Sequence, residues 1–310
     1  MSEASGTNDR DRRGREADPD TMLACDDCMS PQDAFSVVAS ETRLQILEAL
    51  WRSEDRPVRF SELRREVGMK DSAQFNYHLG KLTDQFVTRT DEGYDLKHAG
   101  KAVVSAVLAG TFNEQPDLEP FDVGDDCVAC SGPLRASYAD ETLSIDCPDC
   151  GKAHGQYGFP PGGLTDRDET ELLRAFDQRV RHLHCLAADG VCPECNGRME
   201  TRLVDDAGDV LGLDVRVDHV CSQCRHRLHS SIGLSLLDQS PVVTVYRNHG
   251  IDLARTPYWT LPWCVSDEYT EVVSRDPWRV RVRIPVADEA LVVTVGGDLG
   301  IREVETRTAD

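Results

Sequence analysis

Ser72-Ala73-Gln74-Phe75-Asn76-Tyr77-His78-Leu79-Gly80-Lys81-Leu82-Thr83-Asp84-Gln85-Phe86 is the stretch that decides how the first third of the chain folds. Phe75, Leu79, Leu82 and Phe86 recur at i, i+4, i+7 and i+11, which is one apolar stripe along a helix. Ser72 is a natural cap for that helix. With the stripe turned inward, Ser72, Ala73, Gln74, Asn76, Tyr77 and Lys81 lie on or near the opposite face. Gln and Asn can pair bidentately with adenine edges, while Ser, Tyr and Lys suit phosphate oxygens. A solvated helix face would account for any one of these side chains; their combination with the flanking elements points to a duplex groove.

Upstream, Ser61 opens a shorter helix over 62–67 that Gly68 stops. Ser40 caps a helix carrying Leu44, Leu47, Leu50 and Trp51, and Pro31 suits the first turn of a helix over 31–39. Downstream, strands over 87–90 and 94–97 flank the turn Asp91-Glu92-Gly93, and an Ala/Val-rich helix covers 98–111. Two helices joined by a tight Gly turn and followed by a hairpin predict a winged helix-turn-helix over 31–112. Arg89, Thr90 and Lys97 flank the wing and are expected to touch the DNA backbone or minor groove.

The remainder divides into a charged tail (1–30) read as disordered, an acidic linker (113–126) and a strand-rich domain (127–310), an α+β arrangement. Ten of the twelve cysteines sit in Cys-x-x-Cys pairs. Two knuckles bring four thiolates to one point in tetrahedral array, the ligand set of structural Zn²⁺. Cys127, Cys130, Cys147 and Cys150 form one expected site within 127–164. Cys192, Cys195, Cys221 and Cys224 form the second within 192–232. Cys127-Val-Ala-Cys130-Ser-Gly matches Cys192-Pro-Glu-Cys195-Asn-Gly, so the two are copies of one unit. Four thiolates leave no open coordination position, so both sites are expected to be structural. Gly151, Gly132 and Gly197 are expected to permit the knuckle turns. Cys25 and Cys28 lack a second pair, and Cys185 stands beside His182 and His184 at the end of an amphipathic helix. Thr165 and Asp168 are expected to cap that helix, and Pro285 to stop a strand over 278–284; a second strand is expected over 290–295.

The formal net charge is −21, with only five lysines among 34 basic residues. Such an acidic, lysine-poor composition resembles the proteins of salt-loving archaea. The charge is uneven: residues 31–118 carry 11 basic and 14 acidic side chains, against 19 and 33 in 119–310. The near-neutral segment is the one expected on DNA, and its modest basic inventory shifts the weight of binding to base and shape readout. No apolar run of about 18 residues is present and the N-terminus lacks a secretory pattern, so a cytoplasmic protein without a membrane span is expected. There is no P-loop, no Gly-x-Ser-x-Gly and no His-Glu-x-x-His, so a non-enzyme is expected.

Residues 31–112 resemble the ArsR-type winged-helix regulators. The resemblance rests on Ser40-Glu41-Thr42-Arg43-Leu44-Gln45-Ile46-Leu47, Ser61-Glu62-Leu63 and Asn76-Tyr77-His78-Leu79-Gly80-Lys81-Leu82. With the paired knuckles and the acidity, the whole looks like a haloarchaeal branch of that family. The resemblance implies a sequence-specific regulator, expected to be a repressor, that binds double-stranded DNA as a homodimer through its terminal helices. The C-terminal half would then serve an effector or protein partner. The metal-sensing Cys-x-Cys of that family is replaced by Glu62-Leu63-Arg64-Arg65-Glu66, so its arsenic- or cadmium-sensing role does not carry over. The alternative reading is a polymerase-associated general factor, because a winged helix with ribbons also resembles archaeal transcription factor E.

Overall fold

The computed structural model describes residues 29–205 and 212–308. The tail, with Cys25 and Cys28, lies almost wholly outside the described residues. The chain separates into two compact units, one up to Ser105 and one from Ala106.

The first unit is helical with one hairpin. Helices α1 (Pro31–Val38), α2 (Glu41–Arg52), α3 (Phe60–Glu66) and α4 (Ser72–Leu82) precede strands β1 (Val87–Arg89) and β2 (Tyr94–Leu96), and α5 (His98–Leu108) crosses into the second unit. Its core gathers Ile46, Leu47 and Leu50 of α2, Leu63 of α3, and Phe75, Leu79 and Leu82 of α4, all essentially inaccessible. Phe60 meets Phe75 edge to face at 5.1 Å, a geometry that aromatic quadrupoles favour.

Helix α3 starts at Phe60 with Arg59 at its cap position, ahead of the expected Ser61, and α5 ends at Leu108 rather than 111. Both ends of α4 also differ from the sequence expectation. The cap of α4 is Asp71, not Ser72: its Oδ1 accepts from the backbone N–H of Ala73 at 2.8 Å and of Gln74 at 3.1 Å. A carboxylate at this position satisfies two orphan amides and also favours the helix dipole. The helix ends at Leu82 rather than near Phe86, because Thr83 turns extended, its hydroxyl donates to the Leu79 carbonyl, and Asp84 takes a φ of +75°. Phe86 still reaches the core, from the connection.

The second unit holds three antiparallel sheets. Strands β3 (Leu118–Asp126), β4 (Pro133–Ala139), β5 (Thr142–Asp146) and β6 (Ala153–Gly158) form the first, in sequential order. The stretch expected as a linker therefore contains a strand. Phe121, Val123 and Asp125 alternate half-buried along it, and Asp125 accepts from the indole N–H of Trp259 at 2.8 Å. Helix α6 (Glu169–Ala188) follows, capped by Asp168 with Glu171 in a reciprocal capping box; Thr165 lies outside it. Strands β7 (Met199–Asp205), β8 (Val215–Cys221) and β9 (Arg227–Ser230) make the second sheet.

Short helices α7 (Ile232–Leu236), α8 (Ser240–Asn248) and α9 (Pro262–Val265) lead to β10 (Thr270–Arg275), β11 (Trp278–Val286), β12 (Glu289–Gly296) and β13 (Ile301–Thr308), the third sheet. Pro285 does not stop β11. Pairing with β10 ends at Val282, so the amide that proline lacks falls where no neighbouring strand could accept it. One large apolar cluster joins the three sheets to α6, centred on Phe176, Val217, Trp259, Trp263, Val282 and Val293. No helix among the described residues is long and apolar enough to cross a membrane.

Candidate functional site

Each knuckle closes the same turn. The N–H of Ser131 donates to the carbonyl of Cys127 at 2.9 Å, and Gly151 to Cys147 at 2.9 Å. Asn196 bonds Cys192 at 2.9 Å and Arg225 bonds Cys221 at 3.2 Å in the same way. These four donors all have positive φ, between 57° and 75°. The left-handed residue is thus a glycine in only one knuckle. Gly132 and Gly197, expected to loosen the turns, have a different reason to be small: a Cβ at Gly132 would strike the side chain of Asp149, and one at Gly197 that of Gln223. Asp149 and Gln223 occupy the same position in the opposing knuckles, so each glycine lets two knuckles close on one another.

The closure brings Cys127, Cys130, Cys147 and Cys150 together, and likewise Cys192, Cys195, Cys221 and Cys224, with all four sulfurs of each set within 4.8 Å. Sulfur separations are 3.7 Å (Cys127–Cys150), 3.5 Å (Cys130–Cys147), 3.7 Å (Cys192–Cys224) and 3.6 Å (Cys195–Cys221). A disulfide would need about 2.05 Å. A tetrahedron of thiolates at the ~2.3 Å zinc–sulfur length has edges of about 3.8 Å. The donor set therefore fits an ion held at the centre of each cluster, and the two clusters are compatible with two structural metal ions.

Backbone amides supply the electrostatics. The N–H groups of Cys224 and Gln223 both lie 3.4 Å from Cys221 Sγ and help hold that thiol down to about 6. At Cys147 burial pushes upward, but hydrogen bonds from the Cys150 amide, the Cys130 thiol, the Asp149 amide and the Cys150 thiol together outweigh it, and the thiol sits at about 7. Both favour the thiolate that a metal requires. His154 lies beyond the sequence expectation: its buried ring places Nε2 3.2 Å from Cys127 Sγ while Nδ1–H donates to the Trp259 carbonyl at 3.1 Å. Its place four residues after Cys150 is the only trace of this in the sequence.

Among the described residues, the two tetracysteine sets are the groups whose ligand atoms converge, and Cys185 with His182 and His184 is not among them. His184 is buried, pairs with the Tyr157 hydroxyl at 3.0 Å and has the His219 ring tilted against it at 6.0 Å. Burial, with the neighbouring His219 and His229, pushes it down to about 3.

In the first unit, Ser72, Ala73, Gln74, Asn76, Tyr77 and Lys81 are all exposed, as are Arg89, Thr90 and Lys97. Tyr77 is 61 % exposed, and the Lys81 ammonium lies 5.7 Å from its ring centroid. Arg89 lies 6.0 Å from the ring of Tyr94. Lys97 is partly engaged, donating to the Asp84 carbonyl and bracing the bend after α4.

Residues 124–301, more than half of the chain and including both cysteine clusters, match the family described as Domain of unknown function (DUF7351). The chain belongs to the DUF7351 family. Residues 31–107, which contain α1–α4, the hairpin and nearly all of α5, match a second family, Domain of unknown function (DUF7347). No curated protein and no solved structure matches the chain. The DUF7351 segment begins inside β3 and ends at the start of β13, so both knuckle pairs and strands β4–β12 lie in one continuous family region.

Proposed function

We propose that this protein is a sequence-specific, DNA-binding transcription regulator acting as a repressor. In this reading residues 31–112 are a winged helix-turn-helix of the ArsR type, and the two tetracysteine clusters hold structural Zn²⁺. The observation that carries the reading is the division of α4. Phe75, Leu79 and Leu82 are buried while Ser72, Gln74, Asn76, Tyr77 and Lys81 stand exposed on one helix that follows α3 after a short turn. A helix with that division can enter a major groove and offer Gln74 and Asn76 to adenine edges. The hairpin, with Arg89 and Thr90 near its tip, supplies the wing.

Phe35 on α1 is 70 % exposed, and Leu108 and Phe112 at and after the end of α5 are 53 % and 78 % exposed. Phe35 in the first unit, and Leu108 and Phe112 in the second, are each large exposed apolar side chains of the kind that supports contacts in a homodimer. Zinc is favoured by the all-thiolate, tetrahedral donor set.

The experiment is selection of bound duplexes from a random pool, repeated with Gln74→Ala/Asn76→Ala. The wild type is expected to enrich a two-fold symmetric motif containing A·T pairs, and the variant to lose discrimination by about 1–3 kcal/mol per lost bidentate contact. Enrichment of the same motif by both proteins would exclude α4 as the reader.

A further inference from the structure

The internal repeat allows the two ribbons to be compared position by position, and they diverge in charge at one end. In the first ribbon the residue after the small glycine is Pro133, the left-handed residue after the second knuckle is Gly151, and two residues on is Ala153. In the second ribbon the same three positions are Arg198, Arg225 and Arg227. The turns are equivalent, since Gly151 and Arg225 each donate to the carbonyl of the knuckle's first cysteine.

The three arginines gather around the Cys221–Cys224 knuckle. The N–H of Ser222 donates to the Arg198 carbonyl at 3.0 Å, Arg225 follows Cys224 directly, and Arg227 pairs across the sheet with Val220. All three are exposed, and among the described residues none of their guanidinium groups has an ion pair or a hydrogen bond. The nearest carboxylates in sequence are Glu194 on the facing knuckle and Glu200, which Arg202 already engages at 2.8 Å.

Arg225 adds a second, independent sign. Its φ of +66° is a region where an L side chain is strained and glycine is not. The first ribbon puts glycine there, so the turn itself does not call for arginine. Nor does the charge of the metal site. Four thiolates around a divalent ion would carry a net −2 in both ribbons, yet the first is closed with Pro133, Gly151 and Ala153, with Lys152 and Arg135 as its neighbouring cations.

We propose that the knuckle end of the second ribbon is a phosphate-binding surface that contacts the nucleic-acid backbone through Arg198, Arg225 and Arg227. Guanidinium groups bind phosphate oxygens in a fixed fork and stay charged at every accessible pH. The choice of nucleic acid over an acidic protein rests on the proposed function, which already brings the chain to a polyanion. Its contribution is independent of base sequence.

The test uses the full-length, metal-loaded protein and a fluorescent 30-base-pair duplex of random sequence, with affinity measured by anisotropy over a range of KCl. Four proteins are compared: wild type, Arg198→Gln/Arg225→Gly/Arg227→Gln, Arg198→Lys/Arg227→Lys, and Gln74→Ala/Asn76→Ala. Each phosphate contact contributes about 0.9 to the slope of log K against log salt, so the ribbon variant is expected to lose about 2–3 of slope and the α4 variant none. Arg198→Lys/Arg227→Lys is expected to keep most of the slope. Metal content near that of wild type shows that the ribbon still closes. An unchanged slope in the metal-loaded ribbon variant overturns the inference, whatever the α4 variant does. A loss of slope in the ribbon variant alongside unaltered motif selection by the α4 variant would sustain the ribbon surface and remove α4 as the reader. Tight binding of a polyglutamate peptide that the ribbon variant loses, with duplex affinity unchanged, would overturn it in favour of an acidic protein partner.

Discussion

Removing one cysteine from each tetracysteine cluster should affect the two ribbons unequally, because their knuckles rest on different amounts of apolar support. Cys150 and Cys224 are equivalent, both exposed, and Cys150→Ser and Cys224→Ser each break one tetrahedron. In the first ribbon Cys127 and Cys147 belong to the large core cluster with Leu134, Tyr138, Leu143 and Ile145, all at most 1 % exposed. Four such side chains contribute about 6–12 kcal/mol at ~1.5–3 kcal/mol each. In the second ribbon Cys192 and Cys221 sit in a separate small cluster, and its own large apolar members are Met199 and Leu228, about 3–6 kcal/mol by the same measure. The difference of about 3–6 kcal/mol corresponds to roughly 10²–10⁴ in a local opening equilibrium. The assay is amide hydrogen exchange followed by mass spectrometry of peptides. In Cys224→Ser, residues 192–200 and 219–229 should exchange at least ~100-fold faster than in wild type. The far end of β7 and β8, held in the main core by Leu203, Val215 and Val217, should stay protected. In Cys150→Ser, β5 should accelerate by less than ~10-fold. Equal acceleration of the two ribbons, or a greater loss in the first, would refute the reasoning.

Other outcomes follow from single contacts. Asp71→Ala removes the cap of α4 and should cost about 1 kcal/mol of stability in a denaturant titration, with Ser72→Ala near neutral; the reverse order would return the cap to Ser72. Asp177 accepts from the Arg181 guanidinium at 2.8 Å and the Tyr258 amide at 2.9 Å, and both charged side chains are nearly inaccessible. Asp177→Ala leaves that cation buried without its carboxylate, with only the Thr256 carbonyl still accepting from it, so a loss of about 3–5 kcal/mol is expected, seen calorimetrically as a fall of roughly 10 °C in Tm; a shift below about 3 °C would contradict it. His184 is held far below its ordinary value by burial, so the unfolded chain takes up a proton near pH 6.5 that the folded chain refuses. Stability should therefore decline as pH falls below about 6.5, by about 2 kcal/mol down to pH 5 from this residue. His184→Gln should flatten that decline, and parallel pH curves for the two proteins would show that His184 is not its source.

The cysteine clusters were legible because a knuckle is a local device: four residues with a fixed turn, repeated twice, specify where four sulfurs converge. The apolar stripe of α4 was legible for the same reason, since Phe75, Leu79 and Leu82 carry their period on the chain itself. What escaped depended on partners far away in sequence. Strand β3 looked like an acidic linker because its half-buried positions, Phe121, Val123 and Asp125, are diluted by carboxylates, and Asp125 is held by Trp259 134 residues later. Strands β10 and β13 were missed because they are sheet edges, whose exposed and charged positions blur the alternation that marked Val280, Val282 and Ile284. His154 was invisible because its meaning lies in a contact with Cys127, which only the closed sheet creates. The left-handed turns at Ser131, Asn196 and Arg225 were masked by glycines one residue along or in the sister knuckle.

The central claim is that α4 carries the chain to particular sites in a genome. Chromatin immunoprecipitation with sequencing tests it most directly, on the wild type and on Gln74→Ala/Asn76→Ala. A small set of discrete promoter-proximal peaks sharing one motif, lost in the variant, is the expected result. Occupancy of most active promoters regardless of sequence, unchanged by the variant, would contradict it and favour a polymerase-associated factor.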